Sequence, residues 1–105
     1  MYKEIEDYQI KGISKIINTP EFLSIYPMID HIDVKKVPDK QIISYVIFLN
    51  TDEINNYNMY GSGLDPHYLV DFYIRKYYPY LEIGIGTGEK VTIFNKSGVR
   101  IYSSF

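Results

Sequence analysis

Apolar residues recur with helical spacing at the start of the chain. Between residues 2 and 18 they fall within one broad arc at about 100° per residue, and most charged residues lie opposite. The apolar set comprises Tyr2, Ile5, Ile10, Ile13, Ile16 and Ile17. The spacing predicts an amphipathic helix that depends on tertiary packing, because Gly12 and the β-branched residues lower its intrinsic propensity. Thr19 and Pro20 then suit an N-cap and a first helical turn, so a short second helix is predicted before Pro27.

The next apolar segments predict two strands joined by a turn. Residues 28–37 are rich in β-branched side chains with partial alternation, and residues 42–50 are apolar on both faces apart from Ser44. Pro38 and Asp39 between the segments are typical of a turn. Since a strand that is apolar on both faces is usually central in its sheet, we expect residues 42–50 to be covered on each side.

A long polar segment follows this hairpin. Residues 51–64 contain Tyr57, Met59 and Tyr60 among mostly polar neighbours. Loops of this length without secondary structure are uncommon in compact domains, and they are usually either functional or disordered. The sequence leaves open which of the two applies here.

A second main helix is predicted after this loop. Asp65 suits the N-cap, Pro66 suits the first turn and Pro79 ends the pattern. One face of the helix would carry Leu69, Val70, Tyr73, Ile74 and Tyr77, whereas Tyr68, Phe72 and Tyr78 project elsewhere. A helix that is apolar nearly all round must be covered on more than one side.

The last third of the chain predicts three antiparallel strands. Residues 81–87 alternate, residues 91–95 follow a turn at Gly88 and Glu89, and the turn residues 95–98 lead into the final strand. The predicted order is therefore α-β-β-α-β-β-β in a single α+β domain, residues 1–105. We expect a mostly antiparallel sheet of about five strands, with two main helices mainly on one face. The other face would then meet water or a partner.

Composition limits the classes of function. The chain has 105 residues and 46% hydrophobic residues, enough to bury a modest core without staples. The absence of cysteine excludes disulfides, thiolate metal sites and thiol nucleophiles. A formal charge of -2 is neither the basic footprint of a nucleic-acid binder nor the strong acidity of a DNA mimic. Abundant Ile, Tyr, Lys and Asn without Ala are typical of an A/T-rich genome.

Motifs for catalysis or metal binding fail in detail. The glycine-rich run 84–90 lacks the adjacent Gly-Lys pair and the following helix of a phosphate-binding loop. His31 and His67 form no recognised metal-ligand spacing. Ser62 lies between glycines, but the wider pattern of a nucleophile elbow is missing. We therefore expect no enzymatic activity, no cofactor and no metal.

The strongest functional indication is an interface-like composition. Protein interfaces are enriched in Tyr, Phe, Met and Arg, and residues 57–80 have that composition. We expect a non-enzymatic protein-protein interaction protein, encoded by a phage or mobile element and acting as a virion or assembly component or as a host-protein binder. The expected partner is another protein or a second copy of the chain. The predicted partner-binding residues are Tyr57, Met59, Tyr60, Tyr68, Phe72, Arg75 and Tyr78.

Other interpretations remain open. The second main helix is equally well explained as the buried centre of the domain. Its tyrosines with Arg75 and Lys76 could stack against single-stranded nucleic acid, although basic residues are too few for a continuous groove. A small enzyme with no recognisable motif is a third alternative. No apolar run of 18 residues occurs and the N-terminus lacks the order of a signal peptide, so we expect a soluble cytoplasmic or virion protein without a membrane partner.

Overall fold

Over the residues that the structure describes, the chain folds as an α+β structure in which two helices precede a four-stranded mixed sheet. The structure is a computed structural model and describes residues 5–65 and 88–105. Its elements are α1 (Asp7–Ile17), α2 (Pro20–Ile25), β1 (Ile29–Lys36), β2 (Ile42–Leu49), β3 (Gly88–Phe94) and β4 (Arg100–Ser103). The strands lie in the order β1-β2-β3-β4. The predicted α+β class is confirmed, whereas the predicted helix after Asp65 and the predicted strand at 81–87 lie outside the described residues.

The two N-terminal helices form where the sequence predicts them. At the start of α1 the Glu6 N–H donates to the Gln9 side-chain oxygen at 3.0 Å, and Ile13 and Ile17 on this helix are fully buried. At the start of α2 the Thr19 hydroxyl accepts a hydrogen bond from the Phe22 N–H at 3.3 Å. The apolar faces of both helices join the same core as the sheet.

The first hairpin follows the predicted boundaries closely. β1 and β2 pair antiparallel, with Val34 opposite Tyr45. In the turn between them Asp39 adopts a φ of 58°, a left-handed conformation that Asp tolerates better than most residues. The Lys40 N–H donates to the Val37 carbonyl at 3.2 Å and closes the turn. The conformation of these turn residues favours the antiparallel pairing of β1 with β2.

The pairing of β2 with β3 is parallel, which the sequence did not predict. Ile42 lies opposite Gly88 and Phe48 lies opposite Phe94. The predicted turn at Gly88 and Glu89 is wrong, because both residues belong to β3. Parallel neighbours need a connection of roughly a dozen residues or more, and residues 50–87 provide a longer one. β3 and β4 pair antiparallel around the turn at residues 95–98, as predicted.

The core lies against one face of the sheet. On β2 the side chains of Ile43, Tyr45, Ile47 and Leu49 are buried, whereas the alternate positions are only partly buried. We call these the inner and outer faces of the sheet. β2 is central in the described sheet, as predicted, and it is more completely buried on its inner face than on its outer face.

The edge of β1 that faces away from β2 is partly closed by a side chain from the end of α1. The Asn18 amide nitrogen donates to the Ile32 carbonyl at 3.0 Å, and the Ile32 N–H donates to the Asn18 amide oxygen at 3.1 Å. Asn18 also donates to the Ser14 carbonyl at 2.8 Å. The side chain thus satisfies backbone groups that an additional strand would otherwise use.

Candidate functional site

The predicted partner-binding residues fall into two groups. Tyr57, Met59 and Tyr60 belong to the segment 51–64, which we call the tyrosine loop. Those on the predicted second helix lie outside the described residues, namely Tyr68, Phe72, Arg75 and Tyr78. The described part of the candidate interface is therefore the tyrosine loop.

The tyrosine loop is built from turns held by two asparagine side chains. The Asn58 side chain accepts from the Asn55 N–H at 2.7 Å and donates to the Glu53 carbonyl at 2.8 Å. The Asn55 side-chain oxygen accepts from the Tyr57 N–H at 2.9 Å. Asparagine is suited to such bonds because its short amide reaches nearby backbone groups. The polar composition of this segment therefore encodes its turns.

Three apolar side chains connect the tyrosine loop to the core. Ile54, Met59 and Leu64 are all buried, with Met59 only 1% exposed. The flexible Met59 side chain thus fills core space in this chain, a common role for methionine. Of the three predicted contact residues in the loop, Met59 is placed inside the domain and the two tyrosines are placed outside.

The two tyrosines of the loop differ in their surroundings. Tyr57 is 94% exposed and Tyr60 is 59% exposed. Tyr60 lies close enough to Tyr102 on β4 to act on the pKa of the Tyr102 hydroxyl. Burial raises the pKa of Tyr102, with smaller contributions from Tyr60 and from the negative charge of Asp65. Tyr60 is therefore partly covered near β4, whereas the ring of Tyr57 projects into solvent.

A carboxylate fastens the start of the tyrosine loop to the turn between β3 and β4. Asp52 accepts hydrogen bonds from the Ser97 N–H at 2.8 Å and from the Ser97 hydroxyl at 2.7 Å. The hydroxyl bond is the main reason that the pKa of Asp52 is lowered, followed by the N–H bond and then by the charge of Lys96. The Lys96 N–H also donates to the Thr51 carbonyl at 3.2 Å.

A row of stacked rings crosses the outer face of the sheet beside this contact. His31 and Phe48 are opposite each other in register, and their ring centroids are 4.5 Å apart at an interplanar angle of 13°. Phe48 and Phe94 are 5.7 Å apart at 16°. The His31 Nδ1 lies 2.6 Å from a carboxylate oxygen of Asp30. Parallel pairing of β2 with β3 brings Phe94 into this row.

An open pocket of about 460 Å³ lies at the end of this row, and we call it the end pocket. Its lining includes Asp30, His31, Phe48, Asn50, Asn95 and Lys96. These residues come from the start of β1, the end of β2 and the turn after β3. The sequence did not single out most of them, since their proximity depends on the unpredicted parallel register. Ser44, the one polar residue of β2 and on the same face as Phe48, was the available signal for placing Phe48 opposite the core.

The described residues give limited support for metal chemistry. Within ranges 5–65 and 88–105, no group of three or more His, Asp or Glu side chains could hold a metal ion. His31 pairs with Asp30 and is stacked on Phe48. His67 lies outside the described residues.

Comparison of the chain with protein-family models, with curated proteins and with solved structures finds no match. In the part of the chain that the structure describes, no helix is long and apolar enough to cross a membrane.

Proposed function

We propose that the protein is a non-enzymatic binder of another protein and that the tyrosine loop is part of its contact surface. The observation that supports this proposal is the position of Tyr57, which is 94% exposed on a loop whose backbone is held by Asn55 and Asn58. Covering a large, water-exposed aromatic ring with the surface of a partner lowers the free energy of the complex.

The attachment of the loop lowers the cost of binding. The Asp52 bonds to Ser97 and the buried Met59 hold the backbone on either side of Tyr57. A loop that is already ordered loses less conformational entropy when it associates than a free segment would. Tyrosine adds contact area with only two side-chain torsions to fix, which explains its frequency in binding loops.

The charge of the loop indicates the chemistry of the partner. The tyrosine loop contains Asp52 and Glu53, and Asp65 follows it directly. Residues 51–65 include no Lys or Arg. All three acidic side chains are exposed. Complementary charges around a contact favour the correct partner, so the partner surface would present an aromatic-accepting groove with a basic rim. A nucleic-acid backbone that crossed the loop at Tyr57 would be repelled by these carboxylates.

The proposed role in the cell is argued from this contact surface together with the composition of the chain. A small protein-binding domain with an acidic loop, encoded by an A/T-rich genome, would serve as a virion or assembly component of a phage or mobile element, or would bind a host protein. A second copy of the chain is the other candidate partner, because the predicted interface residues 68–78 adjoin the same loop in sequence.

The proposal can be tested by placing a photo-crosslinking amino acid at position 57 in the native cell. Position 8 is the matched control, because Tyr8 is 53% exposed on α1 and lies outside the loop. We expect a discrete adduct with one protein from position 57 and none from position 8. The purified partner, or the chain itself in sedimentation velocity, should then bind Tyr57→Ala about tenfold more weakly than wild type, the cost of about 1.4 kcal/mol that marks an energetically important residue.

Two outcomes would contradict the proposal. One is equal binding of the purified partner by wild type and by Tyr57→Ala. The other is a chain that stays monomeric and gives no adduct from position 57. Tyr8→Ala should bind as wild type does, which controls for general loss of surface tyrosine.

A further inference from the structure

The end pocket combines ring surfaces with separate hydrogen-bonding groups. Its His31 and Phe48 rings are stacked nearly parallel, 4.5 Å apart, and His31 remains half exposed. Aromatic pairs prefer offset-stacked or edge-to-face arrangements, and both are available to a planar ligand ring that enters the pocket beside them. The pocket volume of about 460 Å³ lies in the range of small-molecule sites.

Hydrogen-bond acceptors lie on the β1 and β2 side of the pocket. The carboxylate of Asp30, one oxygen of which lies 2.6 Å from His31 Nδ1, supplies acceptor oxygens on this side of the pocket. The Asn50 amide nitrogen donates to the Pro27 carbonyl at 2.8 Å, which leaves the amide oxygen of Asn50 available to accept. Amino groups at the edge of a ligand ring would match these acceptors.

Hydrogen-bond donors lie on the opposite side, in the turn after β3. The Asn95 amide oxygen accepts from the Val99 N–H at 2.9 Å, which leaves the amide NH₂ of Asn95 available to donate. Lys96 in the same turn also lines the pocket, and its positive charge acts on the nearby carboxylate of Asp52 as well. Since β1 and β3 are two strand spacings apart, the acceptor side and the donor side are separated by roughly 10 Å.

We propose that the end pocket binds a nucleotide, with the base against His31 and Phe48 and the phosphate beside Asn95 and Lys96. A nucleotide has the required order of parts, because the base presents N–H donors at one end and the phosphate is an anion at the other. The base can come from a free nucleotide or from a residue of single-stranded nucleic acid. The site is separate from the protein-binding role of Tyr57 and does not depend on it.

The test is an NMR titration of the ¹⁵N-labelled full chain with the four ribonucleoside monophosphates and the matching nucleosides. We expect the largest shifts at the side-chain amides of Asn50 and Asn95 and at the backbone amide of Gly98. His31→Ala should weaken nucleotide binding about tenfold, in the range measured when one ring contact with a base is removed. Phe48→Leu is a second variant that keeps an apolar side chain in the sheet.

The charged end of the pocket is tested separately. Lys96→Gln should weaken binding of nucleotides but leave binding of nucleosides unchanged. Lys35→Gln is the matched control, because Lys35 is exposed on β1 opposite Ser44, toward the other end of the sheet. The control variant should bind both ligands as wild type does.

Short single-stranded oligonucleotides form the second arm of the titration. Binding of mononucleotides at the end pocket supports a free nucleotide as the ligand. Binding of oligonucleotides alone, with an affinity that falls steeply with salt, supports a single strand as the source of the base. The proposal is overturned if none of these ligands shifts the pocket amides, if His31→Ala leaves the affinity unchanged, or if Lys35→Gln weakens nucleotide binding as much as Lys96→Gln.

Discussion

Asp52 and Ser97 illustrate how single residues position the tyrosine loop. They are 45 positions apart in the chain, yet both hydrogen bonds from Ser97 converge on one carboxylate. The sequence predicts the turn that contains Ser97 but carries no signal for its partner. Contacts of this kind depend on the tertiary path, so they are invisible to local patterns.

We predict that Ser97→Ala raises the pKa of Asp52 toward its ordinary value of 3.8, because the hydroxyl bond is the main cause of the lowered pKa. Because the pKa of Asp52 is lowered in the folded protein, this carboxylate binds a proton more readily in the unfolded chain than in the folded one. The contribution of this carboxylate to stability is therefore present above about pH 4 and is lost as the pH falls through the lowered pKa. A ¹³C NMR titration of the Asp52 carboxyl checks both statements.

Ser24→Ala is the control for that titration. Ser24 is also an exposed serine, but its hydroxyl donates to the Glu21 carbonyl rather than to a carboxylate. An unchanged Asp52 titration in Ser97→Ala would show that the hydroxyl is not the cause of the shift.

We predict that Gly98→Ala destabilises the protein by about 1 to 2 kcal/mol, the cost of a left-handed conformation for an L-residue. Gly98 has a φ of 84° in the turn between β3 and β4, although nothing lies within 4 Å of an added Cβ. Gly61→Ala is the matched control, since its added Cβ meets only the Asn58 carbonyl oxygen at 3.6 Å. Urea unfolding of the two variants should separate backbone strain from the loss of a glycine as such, and equal midpoints would contradict the assignment.

At the scale of elements, the tyrosine loop carries a buried core residue, Met59, two positions from a solvent-exposed residue, Tyr57. Composition identified this segment as interface-like, but it could not tell which apolar side chains face inward. That division follows from the turns at Asn55 and Asn58, which send Met59 into the core and Tyr57 into solvent. Sequence patterns of fixed period do not apply to such irregular turns, which explains why Met59 was grouped with the tyrosines.

Stability measurements should separate these two roles. Met59→Ala should reduce the free energy of unfolding by about 2 to 4 kcal/mol, as expected for removing a buried long side chain. Tyr57→Ala should change it by less than about 0.5 kcal/mol, since the ring is nearly fully exposed. Chemical denaturation of both variants tests the assignment, and a destabilisation by Tyr57→Ala as large as that by Met59→Ala would refute it.

At the scale of the whole molecule, local signals specify the hairpins and the helices but leave the sheet order open. The turn at Asp39 and the turn ending at Gly98 each join strands that are adjacent in sequence. The parallel pairing of β2 with β3 depends on how residues 50–87 return the chain to the other end of the sheet. No local pattern encodes that return, and the end pocket could not be predicted for the same reason.

The observed strand order makes β2 the best-protected strand. It pairs with β1 on one side and with β3 on the other over most of its length, and its inner-face residues are buried. In native-state hydrogen exchange we expect the amides of residues 43–48 to exchange most slowly among the described residues. The four-residue β4, paired with β3 in the described sheet, is the internal comparison. Faster exchange in β2 than in β4 would contradict the strand order.

The separation of β2 from β3 in sequence has a consequence for biosynthesis. When β2 leaves the ribosome, β1 has already been made, whereas β3 begins about 40 residues later. At a synthesis rate of roughly 5 to 20 residues per second, the edge of β2 that pairs with β3 stays without that partner for about 2 to 8 s. The segment concerned is Ile-Ile-Ser-Tyr-Val-Ile-Phe-Leu. During that interval a chaperone that recognises extended apolar segments has a well-defined target on the growing polypeptide.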